Sequence, residues 1–241
     1  MILSIFLSHL VGDYILQWDK LAYWKSQKLM GVVVHVLIVA LTTFAFVLPF
    51  QPFWWQGALL ISVIHFFIDV VQLPITKKPS PNGIFAVSRF ILDQLAHVLT
   101  MTAVLAWGGY LDLAAPIASI MAEVNAYPMM PYVLAYAGLA MPAWVILEIV
   151  VAGLVTGDPP NFALATNKYT SSLERWLIMT CVLMGQFILV PLVATPRFLL
   201  ERATVTAEFE QPRLHVYLAK LLASIGLAVA LGLMLRLVFP L

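Results

Sequence analysis

The 241-residue chain is 62% hydrophobic and only 10% charged, against roughly 25% charged residues in a soluble domain, and its mean hydropathy is +0.96. A formal net charge of +1 gives no basic surface for nucleic acid, and 12 glycines with a single cysteine exclude collagen-like and disulfide-stapled chains. The composition points to an all-α, polytopic transmembrane helix bundle whose first partner is the lipid bilayer.

A helix needs about 20 mainly apolar residues to cross a hydrocarbon core about 30 Å thick. Apolar runs predict spans near 1–18, 31–49, 56–73, 88–107, 132–156, 173–195 and 214–239, about seven in all. The first run is no ordinary secretory signal, because His9, Asp13 and Gln17 interrupt it. Pro- and Gly-rich turns at 77–83 and 156–161 separate later spans. Lys20, Lys25, Lys28, Lys77, Lys78, Arg89 and Lys168 flank alternate loops, with Arg175 just beyond, whereas 50–55 and 108–131 hold no basic residue. The positive-inside rule then places the N-terminus outside and the C-terminus inside. Segment 196–213, with Arg197, Arg202 and Arg213 among Glu201, Glu208 and Glu210, stands against that alternation. A re-entrant late span, or a count wrong by one, would remove the conflict.

Ionisable groups inside spans are costly and mark function by default. Four of the five histidines fall in the first 97 residues, each inside a span: His9, His35, His65 and His97. Three have an aspartate four residues away: His9 with Asp13, His65 with Asp69 and, in reversed order, Asp93 with His97. A spacing of four sets both side chains on one helix face. Spans one and three run inward and read His then Asp; span four runs outward and reads Asp then His. Each Asp is therefore the shallower group at the basic end, each His lies one turn deeper, and His35 falls at the Asp level. Seven ionisable groups from four helices converge near the cytoplasmic face.

Imidazole with carboxylate suits a divalent metal such as zinc, iron or manganese, and no thiolate is in reach. His9, His35, His65, His97, Asp13, Asp69 and Asp93 are the candidate ligands. Surplus aspartates, with Gln17, Gln94 and Arg89, are candidates to hydrogen-bond those ligands or border them. Haem is a weaker use of paired imidazoles, since it does not call for the aspartates. Residues 1–107 thus form a four-helix unit bearing the His/Asp set, and 108–241 an apolar unit of about three spans packed with it as one fold. Glu148 is the main polar group inside the later spans.

Ser8-His9-Leu10-Val11-Gly12-Asp13-Tyr14-Ile15-Leu16-Gln17 resembles the opening signature of a bacterial multi-pass inner-membrane family known as a domain of unknown function. His65-Phe66-Phe67-Ile68-Asp69 and Leu92-Asp93-Gln94-Leu95-Ala96-His97 are similar to its second and third signatures, in order, with His35 between. The resemblance covers residues 1 to about 107. It implies placement in a bacterial inner membrane and a looser kinship with membrane-bound metal-dependent hydrolases. In the family a basic residue usually follows the second signature's Asp by three; Gln72 stands there in this chain, so any ion pair that such a basic residue would make with a phosphate or a carboxylate is absent here.

The expected function is a membrane metalloenzyme of hydrolase type, with Asp13, Asp69 or Asp93 as base toward an amphiphilic substrate from the cytoplasmic leaflet. Two alternatives are a non-catalytic subunit of a larger membrane complex that holds a metal or cofactor, and a transporter coupled to protons or metal ions.

Overall fold

The computed structural model describes residues 1–50, 54–160, 162, 167–208 and 212–239, without the side chains of 200–208 and 212–214. Among the described residues it is helical throughout, and two compact units divide the chain: 1–80 with 88–137, and 81–87 with 138–241.

In the first unit α1 (Ile2–Leu10) runs directly into a π-helical turn, Val11–Ile15. Asp19–Gln27 forms the short helix α2, followed by α3 (Leu29–Val47), α4 (Trp55–Thr76), α5 (Gly83–Trp107) and α6 (Pro116–Ala126). The free N–H groups that open α1 meet one carboxylate: Glu123 of α6 accepts from the Met1 ammonium at 2.7 Å, Ile2 N at 2.6 Å and Leu3 N at 3.1 Å. A negative charge at a helix N-terminus meets both the unpaired donors and the helix dipole. Ile5, Val47, Ala58, Ile61, Met101 and Leu105 form a dry core below that cap. The corner from α2 into α3 is tight, with Lys28 extended between them. A Cβ on Gly31 would run into the backbone of Trp24 and Lys25, so only glycine allows α2 to fold back on α3.

The second unit holds α7 (Met130–Leu139, shared with the first), α8 (Met141–Val155), α9 (Lys168–Leu183), α10 (Leu189–Glu208) and α11 (Pro212–Val238). The fully buried Arg175 on α9 organises it. Arg175 donates to the carbonyls of Leu139 at 2.7 Å and Ala140 at 2.9 Å, and to the hydroxyls of Ser172 at 3.0 Å and Ser224 at 3.3 Å. The two carbonyls lie at the break between α7 and α8, where a cation serves the freed acceptors. Glu148 pairs with Lys220, and Glu174 with Arg197 at 3.2 Å.

Among the described residues, four helices are long and apolar enough to cross a membrane: Leu29–Val47, Trp55–Thr76, Gly83–Trp107 and His215–Val238. Met130–Leu139 with Met141–Val155, bent by 45°, make a fifth if counted as one span. The first and sixth spans expected from the sequence do not meet that length. Ile2–Ile15 is too short, reaching about 21 Å at 1.5 Å per residue. The run 173–195 is not continuous, because α9 stops at Leu183 and Gly185 turns with φ 73°. Residues 196–208, expected as a loop, continue α10.

That break also revises the path of the late helices. Arg175 meets Ser224, a Cβ on Gly232 would touch Val182, and Arg236 donates to the Val182 carbonyl. Both partners rise in number together, so α9 and α11 run in the same direction. Arg197 on α10 meets Glu174 from roughly the same distance beyond the break, so α10 folds back along α9. A single outward span, a loop and an inward span cannot produce this arrangement. Arg197 thereby returns toward the start of α9, away from the tip at Gly185. The side chains of Glu201, Arg202, Glu208, Glu210 and Arg213 lie outside the described residues, as does Asn161 of the 156–161 turn.

Candidate metal centre

Four elements of the first unit bring the His/Asp set together. The π-helical turn adds a residue to the first helix just where Asp13 sits, a distortion frequent at functional sites. Gly12 lets this turn lie against α3, since a Cβ there would stand 3.1 Å from Val39 Cα. His9, Asp13, His35, His65, Asp69 and His97 are all buried, His35 completely. Asp93 keeps 23% of its side chain exposed.

The contacts run both between helices and along them. Asp13 Oδ1 is 2.9 Å from His35 Nε2, whereas its own helix's His9 Nε2 is 3.8 Å from Oδ2. Asp69 Oδ2 lies 3.4 Å from His65 Nε2 and 3.6 Å from His35 Nε2. The two Nε2 atoms face each other at 3.3 Å. The rings form a continuous set, with His35–His65 centroids at 5.4 Å, His65–His97 at 4.3 Å, and His9 at 5.2 Å from His97. His97 Nδ1 donates to the Asp93 backbone carbonyl at 2.8 Å and stands 3.9 Å from its carboxylate. That leaves His97 Nε2, like His9 Nε2, buried and without a hydrogen bond among the described residues.

Among the described residues, two groups of ligand atoms are close enough to hold a metal ion: Asp13, His35 and His65, and His65, Asp69 and His97. His65 belongs to both. His9 borders the groups through its ring contacts. Asp93 stands at the edge, where Gln94 donates to it at 3.0 Å. Arg89 is half-buried, and among the described residues no hydrogen bond or ion pair joins it to the set. Gln17 lines an adjoining cavity of about 80 Å³, together with Lys25, Ser26, Asp69, Gln72 and Thr76.

Lys25 is the residue that sequence reasoning passed over. Its ammonium lies 3.1 Å from Asp69 Oδ2 and 3.5 Å from Asp13 Oδ1. Burial works against its charge, but the two carboxylates hold its pKa above the usual lysine value. In the sequence it counted only as a basic loop marker. The available signal is helical period: Leu21, one turn earlier, is 1% exposed, so Lys25 shares the buried face of α2.

The family described as "Protein of unknown function (DUF3307)" matches residues 1–124, more than half of the chain and all of the His/Asp set. The chain belongs to the DUF3307 family. The match extends past residue 107, where the resemblance read from the sequence ended, and takes in Glu123 with most of α6. No curated protein and no solved structure is significantly similar to the chain.

Proposed function

We propose that this DUF3307 protein is a metal-dependent, hydrolase-like enzyme of a bacterial inner membrane, with its centre near the cytoplasmic face. One observation carries the reading. The Nε2 atoms of His35 and His65 point at each other across 3.3 Å, with Asp13 Oδ1 and Asp69 Oδ2 against the same point. Two imidazole nitrogens can share one proton between them, but they cannot both serve two carboxylates as well. A divalent cation satisfies all four lone-pair donors at once, and zinc, iron or manganese fits such a nitrogen–oxygen set. Asp13, His35 and His65 would hold it, with His97 and Asp69 completing the set or taking a second ion.

A divalent cation there supplies Lewis acidity. Asp69 is the carboxylate that faces both the cluster and the adjoining cavity, so it is placed to take a proton from a water molecule in that cavity. Asp13, 2.9 Å from His35, supports the ligand side, and neither it nor Asp93 is among the residues that line the cavity. Residues 1–107 carry the chemistry in this reading, and the later helices form an apolar unit. The basic ends of the helices mark the cytoplasmic side.

A second reading is a proton path, supported by the continuous run of four imidazoles and by Lys25, which already compensates the carboxylates without a metal. Elemental analysis of purified wild type and His65→Ala separates the two. Stoichiometric zinc, iron or manganese in wild type and none in the variant is expected. Metal-free wild type of full stability would overturn the metal reading in favour of the proton path.

A further inference from the structure

We infer that the cavity beside the cluster is a metal-dependent anion subsite, in which Lys25, Gln17 and Gln72 bind the phosphate-type head group of the substrate. The inference rests on the metal reading above and adds the class of substrate.

The cavity opens between the chain just after the π-helical turn, α2 and α4, and six of the seven residues that line it carry a polar group on their side chains, set among their alkyl stems. At about 80 Å³ it holds several water molecules, each needing about 10–15 Å³, or one tetrahedral or carboxylate head. An acyl chain does not fit. The donors in it differ in availability. Ser26 Oγ already donates to the Tyr23 carbonyl at 2.8 Å, and Thr76 Oγ1 to the Ser26 and Leu73 carbonyls. The carboxamides of Gln17 and Gln72, by contrast, each bury an oxygen with no hydrogen-bond partner among the described residues. A half-turn of either amide presents an N–H₂ donor to the cavity.

Lys25 supplies the charge, but only conditionally. Without a metal its ammonium is held by Asp69 and Asp13, and the two carboxylates exceed it by one charge, so an anion is repelled. A divalent cation held by Asp13, His35 and His65, with Asp69 completing the set, takes over those carboxylates. The balance around Asp13, Asp69 and Lys25 then changes from −1 to +1, and the ammonium is free to turn into the cavity. A neutral polar head would need neither the lysine nor the metal. An anionic head needs both. Trp18, Tyr23 and Trp24 are exposed on and beside α2, as suits an element at the membrane–water interface, so a head group can arrive with its lipid or free in water.

The test is calorimetric titration of inorganic phosphate into metal-loaded and metal-stripped wild type, Lys25→Met and Gln72→Leu, with metal content measured first. The same proteins are then mixed with phosphatidylcholine vesicles with and without phosphatidate. Phosphate or phosphatidate is expected to bind loaded wild type. Binding should weaken about tenfold or more in Lys25→Met, the loss expected for one charge-assisted hydrogen bond, and in stripped wild type, while Lys25→Met keeps its metal. Gln72→Leu, which leaves the ion pairs intact, should weaken binding severalfold. Phosphatidate alone as ligand assigns the head group to a lipid; inorganic phosphate as well assigns a water-borne group. Equal binding by Lys25→Met, equal binding by stripped protein, or no binding of either probe by loaded wild type overturns the inference and leaves the metal reading standing. Absence of metal from wild type fails the metal reading itself, before any phosphate is added.

Discussion

Replacing Lys25 by Met separates a lysine that substitutes for a cation from one that merely packs. The ammonium bridges two carboxylates at 3.1 and 3.5 Å, so its loss leaves Asp13 and Asp69 close together without compensation. Breaking a buried charge pair from one side costs about 3–5 kcal/mol. Lys25 keeps 22% of its side chain exposed, and water reaching the site offsets part of that, leaving about 2–3 kcal/mol. For a chain of this size that lowers Tm by about 4–12 °C. A divalent cation neutralises the same two carboxylates, so the deficit should nearly vanish in its presence. Thermal unfolding in detergent, with chelator and then with zinc or manganese, reads both quantities. Metal should raise Tm more in Lys25→Met than in wild type, by an amount close to the deficit seen in chelator. An equal deficit with and without metal, or no deficit in chelator, would refute the reasoning.

Asp93→Asn should leave metal content within about twofold of wild type, because the backbone carbonyl of Asp93 rather than its carboxylate holds His97; second-sphere partners that do orient a ligand cost 10–100-fold. Metal content of the loaded wild type should fall as pH drops through the histidine range, since the imidazole ligands must be unprotonated to bind, and flat occupancy by elemental analysis across that range would contradict it. Gly31→Ala, read by metal content and Tm together, should lower both by pushing α2 off α3 and carrying Lys25 out of place. Arg175→Lys should not rescue Arg175→Ala in expression yield or Tm, because one ammonium cannot reach the Leu139 and Ala140 carbonyls and both serine hydroxyls as the planar fork does.

Much of the candidate site was legible because a spacing of four fixes two side chains on one helix face whatever surrounds them. His65 with Asp69 follows from that alone, the level of His35 follows from its place in its apolar run, and all three are buried. The bonding partners did not follow. Asp13 turns from His9 to His35 because the π-helical turn rotates it and Gly12 brings α3 close, neither of which a regular helical period contains. Asp93, equal to the others by spacing, stands half-buried at the edge because the α5 backbone already serves His97.

Composition and hydropathy determined an all-helical chain rich in apolar spans, since backbone groups in hydrocarbon must be satisfied within a helix and no soluble core absorbs so many apolar residues. The order of His and Asp along helices of alternating direction led to the expectation that the ionisable groups would converge, and His9, Asp13, His35, His65, Asp69 and His97 lie side by side in the first unit. Only the tertiary structure decided the rest. It placed Lys25 between two carboxylates, because a charge in a basic loop and a charge on the buried face of a short helix look alike until α2 folds onto α3 and α4. It broke the sixth apolar run at Gly185, returned α10 along α9, and set Arg175 under the α7–α8 break. Hydropathy records how apolar a segment is, and the direction in which it travels depends on turn geometry and on contacts between distant residues.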